Sequence, residues 1–123
     1  MVVDELIGIL EPLVNNKVYR QGSLATEYPS LFITFFEVES KDNSHYDNKA
    51  RSYRYDFDVN VYGNTPSDVY DKMEEVINVL KTNGYIVSGK GIDIPCDDKN
   101  FIGRHIEIIK IERHLISVRC LFI

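Results

Sequence analysis

The sequence predicts a single α+β domain, and three observations carry that prediction. Tyr53, Tyr55, Phe57, Val59 and Val61 alternate with Arg54, Asp56, Asp58, Asn60 and Tyr62, a period of two that marks a strand with one buried and one wet face. Gly63-Asn64 then turns the chain into an amphipathic helix that opens at Thr65-Pro66 and closes at Asn83-Gly84. A second helical pattern precedes this unit and further β patterns flank it, in a chain of 123 residues with 44% hydrophobic side chains, enough for one sizeable core.

Taken in order, Asp4 is expected to cap a first helix whose Leu6, Ile9, Leu10 and Leu13 recur on one face and which ends near Asn15-Asn16. Pro12 removes a backbone donor and crowds the preceding turn, so the last turn is expected to be distorted. Val18-Tyr19 reads as a short strand. Gln21-Gly22-Ser23 and Glu27-Tyr28-Pro29-Ser30 read as loop, with the proline holding Tyr28 extended. From Leu31 to Glu39 a strand is expected, apolar on both faces over Leu31, Phe32, Ile33, Phe35 and Phe36. Ser40 to Ala50 is polar apart from Tyr46 and exceeds the ~2–5 residues of a plain hairpin turn, so it reads as a projecting loop.

In the second helix Thr65 is the expected N-cap, Pro66 the first helical residue and Asp68 a carboxylate beside the free amides. Val69, Met73, Val76, Ile77 and Leu80 form its apolar face, with Asp71, Lys72, Glu74, Glu75 and Lys81 mostly opposite. Gly84 suits the left-handed conformation that ends helices. Tyr85-Ile86-Val87 and Ile92-Asp93-Ile94 read as two short strands separated by Gly89-Lys90-Gly91, and Asp97-Asp98-Lys99-Asn100 as a loop. Ile106 and Ile108 then share one phase while Ile109 and Ile111 share the other, which predicts a β-bulge or a break. Ile116, Val118, Cys120 and Phe122 alternate again and predict a last strand.

A net charge of −5 argues against a surface built to neutralise phosphates, so DNA binding is not the expected task. No run of about 18 apolar residues exists and the amino terminus lacks a basic segment and cleavage site, which predicts a protein made and kept in the cytoplasm, without a membrane span. Two cysteines, Cys96 and Cys120, are too few for a disulfide framework and read as buried or half-buried thiols.

Candidate chemistry is sparse. His45 with Asp42 and Asp47 offers three ligand types in one stretch but not the spacing of a calcium loop. His105 and His114 form no paired metal spacing with Cys96 or Cys120. Asp97, Asp98, Glu107 and Lys110 make up the set that a magnesium-dependent nuclease would need, yet their spacing does not compel it. Gly89-Lys90-Gly91 lacks the further glycine, the Ser or Thr and the following helix of a phosphate loop. Asp56, Asp58 and Asn60 line the wet face of the long strand, where polar residues facing water or a neighbouring subunit are the simpler reading than an acid–base pair. No nucleophile with a base, no cofactor fingerprint and no metal set is expected, so the protein reads as a non-enzyme.

In the order of its elements and in the segment Tyr53-Arg54-Tyr55-Asp56-Phe57-Asp58-Val59-Asn60-Val61-Tyr62-Gly63, the chain resembles tail-completion or tail-terminator proteins of long-tailed bacteriophages and prophages. Tyr28-Pro29-Ser30-Leu31-Phe32-Ile33 matches the strand near a Tyr-Pro element in that family, and Asp97 to His105 its later loop and strand. The likeness spans most of residues 1–113; the part beyond His114 departs from it. It implies a small, mainly antiparallel sheet packed against two helices. It also implies assembly with itself as a hexameric ring that stops growth of the tail-tube protein, meets the head–tail connector proteins and lets DNA pass without specific binding. The location implied is the host cytoplasm during assembly and then the virion. On this reading Lys41, Asp42, His45, Tyr46, Asp47, Lys49 and Arg51 are the candidate contacts to the tube or channel, and Arg54, Asp56 and Asp58 the candidate subunit surface. The alternatives are a head-side connector or head-completion protein and, in another class, a cytosolic ligand-binding α/β module.

Overall fold

Alternating side chains and a run of paired backbone amides build a five-stranded, mostly antiparallel sheet with two helices, a small α+β fold seen in the computed structural model of the chain, which describes residues 2–20, 28–46, 49–96 and 98–113. The elements are α1 (Val2–Leu10), a 3₁₀ turn (Glu11–Leu13), β1 (Val18–Arg20), β2 (Leu31–Tyr46), β3 (Lys49–Gly63), α2 (Pro66–Thr82), β4 (Ile86–Ile94) and β5 (Ile102–Arg113). In space the described strands run β1-β2-β3-β5-β4, the β1–β2 pair parallel and the other three pairs antiparallel.

Helix α1 begins at Val2, so Asp4 lies inside the first turn rather than capping it; beside Glu5 it still faces the positive end of the helix dipole. Pro12 acts as expected: the helix tightens into the 3₁₀ turn, and Asn15 and Asn16 leave it with φ of 51° and 66°. Helix α2 starts at Pro66 as read, but the Thr65 hydroxyl makes no cap bond and instead donates to Asn64 Oδ1 at 3.3 Å. At its other end the Gly84 amide donates to the Lys81 carbonyl and the Tyr85 amide to that of Leu80, a Schellman closure with Gly84 at φ 86°.

The five apolar residues expected on α2 are all buried, and they close on Phe57, Val59, Val61, Ile33, Phe35, Ile106 and Ile108 from one face of the sheet, with Val2, Leu6, Leu10 and Val14 completing the cluster. Among the described residues the opposite face of the sheet has no helix, yet its end is not wet. Phe32, 1% exposed, is packed among Tyr19, Tyr28, Tyr62 and Phe101 at ring-centroid distances of 5.3–6.3 Å. Gly103 permits this packing, because a Cβ there would lie 2.6 Å from the Tyr62 ring. The doubly buried start of β2 is therefore as the pattern predicts.

Three expectations need correction. Ser40 to Tyr46 and Lys49-Ala50 are strand rather than loop. Strands β2 and β3 stay paired from Leu31↔Gly63 out to Tyr46↔Lys49, with register shifts near Glu37/Glu39, Asp42/Ser44 and Ser44/His45. A polar sequence still satisfies its backbone in a ladder when the strand it continues is already anchored. The second correction concerns β4, which is one strand whose register shifts between Ser88 and Ile92; Gly89 and Gly91, at φ 72° and 100°, absorb the irregularity. The third is the phase change at Ile106 to Ile111. It marks no bulge in the β3–β5 ladder, which runs without a shift from Ser52↔Arg113 to Gly63↔Ile102. Ile106 and Ile108 face the helices, whereas Ile109 and Ile111 lie on the open face and are half-buried and 36% exposed.

The expected strand from Ile116 to Phe122, the loop at Gln21-Gly22-Ser23, and residues Asp47, Asp97, His114 and Cys120 lie outside the described residues. Among the described residues no helix is long and apolar enough to cross a membrane.

Candidate functional site

The feature that the fold projects outward is the distal hairpin, because the helices pack near one end of the sheet while β2 and β3 continue past it. The buried members of β3 are Phe57, Val59 and Val61; Tyr55 is half-buried and Tyr53 is 36% exposed, so burial fades toward the turn. At ~3.4 Å per residue the paired stretch Ser40–Tyr46 carries the sheet onward by about 20 Å. Strand β1 pairs β2 at Ile33, Thr34 and Phe35 only, and among the described residues no strand pairs the outer edge of β2 beyond them. Of the candidate contacts, Lys41, Asp42, His45, Tyr46 and Lys49 are placed on this arm by their backbone pairing, Lys41↔Arg54, Asp42↔Tyr53, His45↔Ala50 and Tyr46↔Lys49, and Arg51 lies within β3 at the register shift between Ser52 and Ala50.

The candidate subunit surface lies on the open face of β3. Arg54 and Asp56, two residues apart and therefore on one face, pair through Arg54 Nε–H donating to Asp56 Oδ1 at 2.8 Å. This pair is half-exposed and contributes little on its own, in the range of about 0–1 kcal/mol.

Asp58 belongs to a different group. Strand register sets it directly opposite Glu107, and sets Asn60 opposite His105. Asn60, 6% exposed, uses its amide to donate to Thr34 Oγ1 at 3.3 Å, and its Oδ1 accepts from His105 Nδ1 at 2.7 Å. His105 Nε2 then stands 3.7 Å from Asp58 Oδ1. Burial pushes the Asp58 carboxyl above the ordinary carboxylate value; His105 pulls it down and Glu107 pushes it up by lesser amounts. Asn60 thus sits in a polar seam between β2, β3 and β5 rather than facing water, a correction to the wet-face reading.

Other sequence candidates separate. Glu107 is on the open face, but Lys110 lies on the helix face, where its ammonium is 3.5 Å from Glu5 Oε1, donates to the Asn83 carbonyl at 3.2 Å and lies 4.9 Å from the Tyr85 ring centroid. Asp98 Oδ1 accepts from the Asn100 amide at 2.9 Å, a local turn contact. The nuclease grouping of Asp98, Glu107 and Lys110 therefore does not converge. Cys96 is half-buried with its thiol free. Gly89-Lys90-Gly91 forms the irregular part of β4, and the Arg104 guanidinium spans it, donating to the Gly91 carbonyl at 2.8 Å and to Asp93 Oδ1 at 2.7 Å. Arg104 also lies 4.9 Å over the Tyr70 ring, lining an open cleft of about 450 Å³ between α2 and β4.

What the sequence did not reveal is the meeting of Asp58, His105 and Glu107. Alternation alone sets His105 and Glu107 on one face of β5, and Asp58 and Asn60 on one face of β3. The missing signal was the register between two strands separated by a helix and a further strand. No protein-family model matches the sequence, and no curated protein matches it either.

Proposed function

We propose that this chain is a structural assembly protein of a long-tailed bacteriophage or prophage, a tail terminator that closes as a hexameric ring on the tail tube and joins it to the head. The observation that supports this reading most is the distal β2–β3 arm: a paired, polar hairpin that outruns the helices and offers its β2 edge. An open strand edge is a template for pairing with another chain, and a head-to-tail contact that closes gives a ring. Polar side chains along the arm fit a contact that forms on assembly and stays soluble before it. The net charge of −5 suits a channel that DNA traverses without sticking. The function is mechanical, with no catalytic step assigned.

The test uses tail-tube subunits from the same genome, polymerised with and without the protein. The expected result is capped tubes of limited length with the native chain and uncapped growth when residues 43–52 are replaced by Asn-Gly, which rejoins the Asp42–Tyr53 pair through a two-residue turn. Binding to portal complexes but not to tubes would move the protein to the head side of the joint. A stable dimer that binds neither and melts at higher temperature with a small molecule would replace the reading by a ligand-binding module.

A further inference from the structure

We propose that Asp58, His105 and Glu107 form a binding site for a divalent transition-metal cation of the Zn²⁺ class on the open face of the sheet. Their ligand atoms, one imidazole nitrogen and two carboxylate oxygens, all lie within 4.8 Å of one another. Two features make this more than a chance grouping of polar side chains.

The first is the fixed tautomer of His105. Asn60 donates through its amide nitrogen to Thr34, so its Oδ1 is the atom turned to the imidazole and must accept. Nδ1 therefore carries the proton, and in the neutral ring Nε2 holds a lone pair that faces Asp58 Oδ1 at 3.7 Å. With the ring neutral, two acceptors face each other, and either a proton on Nε2 or a metal cation between them relieves the clash. A buried amide that orients one ring nitrogen while the other points at carboxylates is the arrangement that prepares a histidine for metal.

The second is the direct cross-strand pairing of Asp58 with Glu107. Like charges directly opposite in an antiparallel ladder are destabilising. The described ion pairs place no Lys or Arg on either carboxylate: Arg54 is paired with Asp56, Arg104 with Asp93 and Lys110 with Glu5. Asp58 is held in place by its strand and its side chain is only 17% exposed, as His105 is 18% exposed, whereas Glu107 is exposed and able to swing inward.

The donor set decides the class of ion. Imidazole selects Zn²⁺, Ni²⁺, Cu²⁺ or Fe²⁺ over the hard Ca²⁺ and Mg²⁺, which prefer an all-oxygen shell. Tetrahedral Zn²⁺ takes its nitrogen and oxygen ligands at ~2.0–2.2 Å, and three protein ligands leave a fourth position for water. That position opens away from the helices. A bound ion would tie β3 to β5 in the middle of the sheet face opposite α2.

The test is calorimetric titration of the metal-free full chain with Zn²⁺, repeated with Co²⁺ while recording its absorption. One ion per chain is expected, with a rise in melting temperature that chelator reverses, and with affinity falling at least tenfold in Glu107→Gln and in His105→Ala. Glu107 is exposed, so its substitution leaves a folded protein even if the His105 variant loosens the polar seam. A chain with Cys96 and Cys120 changed to Ser and His45 and His114 changed to Ala should bind as the native chain does. Absence of Zn²⁺ binding, binding unaffected by both site substitutions, or a thiolate-to-cobalt absorption band lost with the cysteines would each overturn the proposal.

Discussion

Strands β2 and β3 form one continuous hairpin, but its two ends are held by different physics. At the proximal end Ile33, Phe35, Phe57, Val59 and Val61 are buried under α2, and on the reverse side Phe32 is closed in by aromatic rings. At the distal end the same ladder continues through Ser40–Tyr46 and Lys49–Tyr55 with a polar sequence and with register shifts that the proximal end lacks. The contrast teaches that being a strand and being buried are separable: backbone pairing, once anchored by a core, propagates through residues that would not form a sheet alone. Stability then belongs to the proximal end and assembly, on the proposed reading, to the distal one.

The largest expected effect is at the anchor. Phe57→Ala removes a side chain 1% exposed from beneath α2 and should cost about 3–5 kcal/mol in urea unfolding. Equal loss from replacing the arm at residues 43–52 would break the comparison, because that change should cost about 1 kcal/mol or less. Gly103→Ala should cost about 1–3 kcal/mol, since the new methyl meets the Tyr62 ring and Ile94 and displaces the stack on Phe32. A neutral outcome would mean that the reverse-face cluster is loosely packed.

The titrating groups of the proximal half give smaller, signed effects. Burial, followed by Glu5, raises the Tyr85 phenol from 10.0 to about 12, and its hydroxyl is buried without a hydrogen-bond partner among the described residues. The unfolded chain releases that proton near pH 10 and the folded chain near 12, so the native state holds more protons between them and stability should fall as pH rises through that window. Tyr85→Phe should remove this alkaline loss, keep the ring beside Lys110 and change stability at pH 7 by about 1 kcal/mol or less, as thermal melts across pH would record.

The smallest effect concerns Asp58, measured in chelator. Its raised carboxyl binds a proton more tightly folded than unfolded, so stability declines as pH rises just above the ordinary carboxylate value and stays level beyond. Asp58→Asn should flatten that decline and raise the melting temperature slightly at pH 7. A lowered melting temperature would instead show that the carboxylate is held favourably by His105.

Much of the proximal half was legible in the sequence because burial writes a period. Val69, Met73, Val76, Ile77 and Leu80 repeat at helical spacing, and Phe57, Val59 and Val61 at strand spacing, and all are buried. Pro66 and Gly84 mark the ends of α2 by their own backbone constraints. The arm was not legible, since a strand with polar residues on both faces carries no period and resembles a loop. Ile109 and Ile111 misled for the opposite reason, as apolar residues on both faces of β5 imitate a phase slip. The seam of Thr34, Asn60, His105 and Asp58 needed the pairing of three strands from distant parts of the chain, which side-chain pattern does not encode.

Whether the distal hairpin acts as an assembly device on an independently stable body is decided by electron microscopy of tail tubes grown with the native chain or with the chain shortened at residues 43–52. Tubes capped at one end by a ring are expected with the native protein, and long uncapped tubes with a shortened protein that melts like the native one. Capping by the shortened chain, or no effect of the native chain on the tubes, would contradict it.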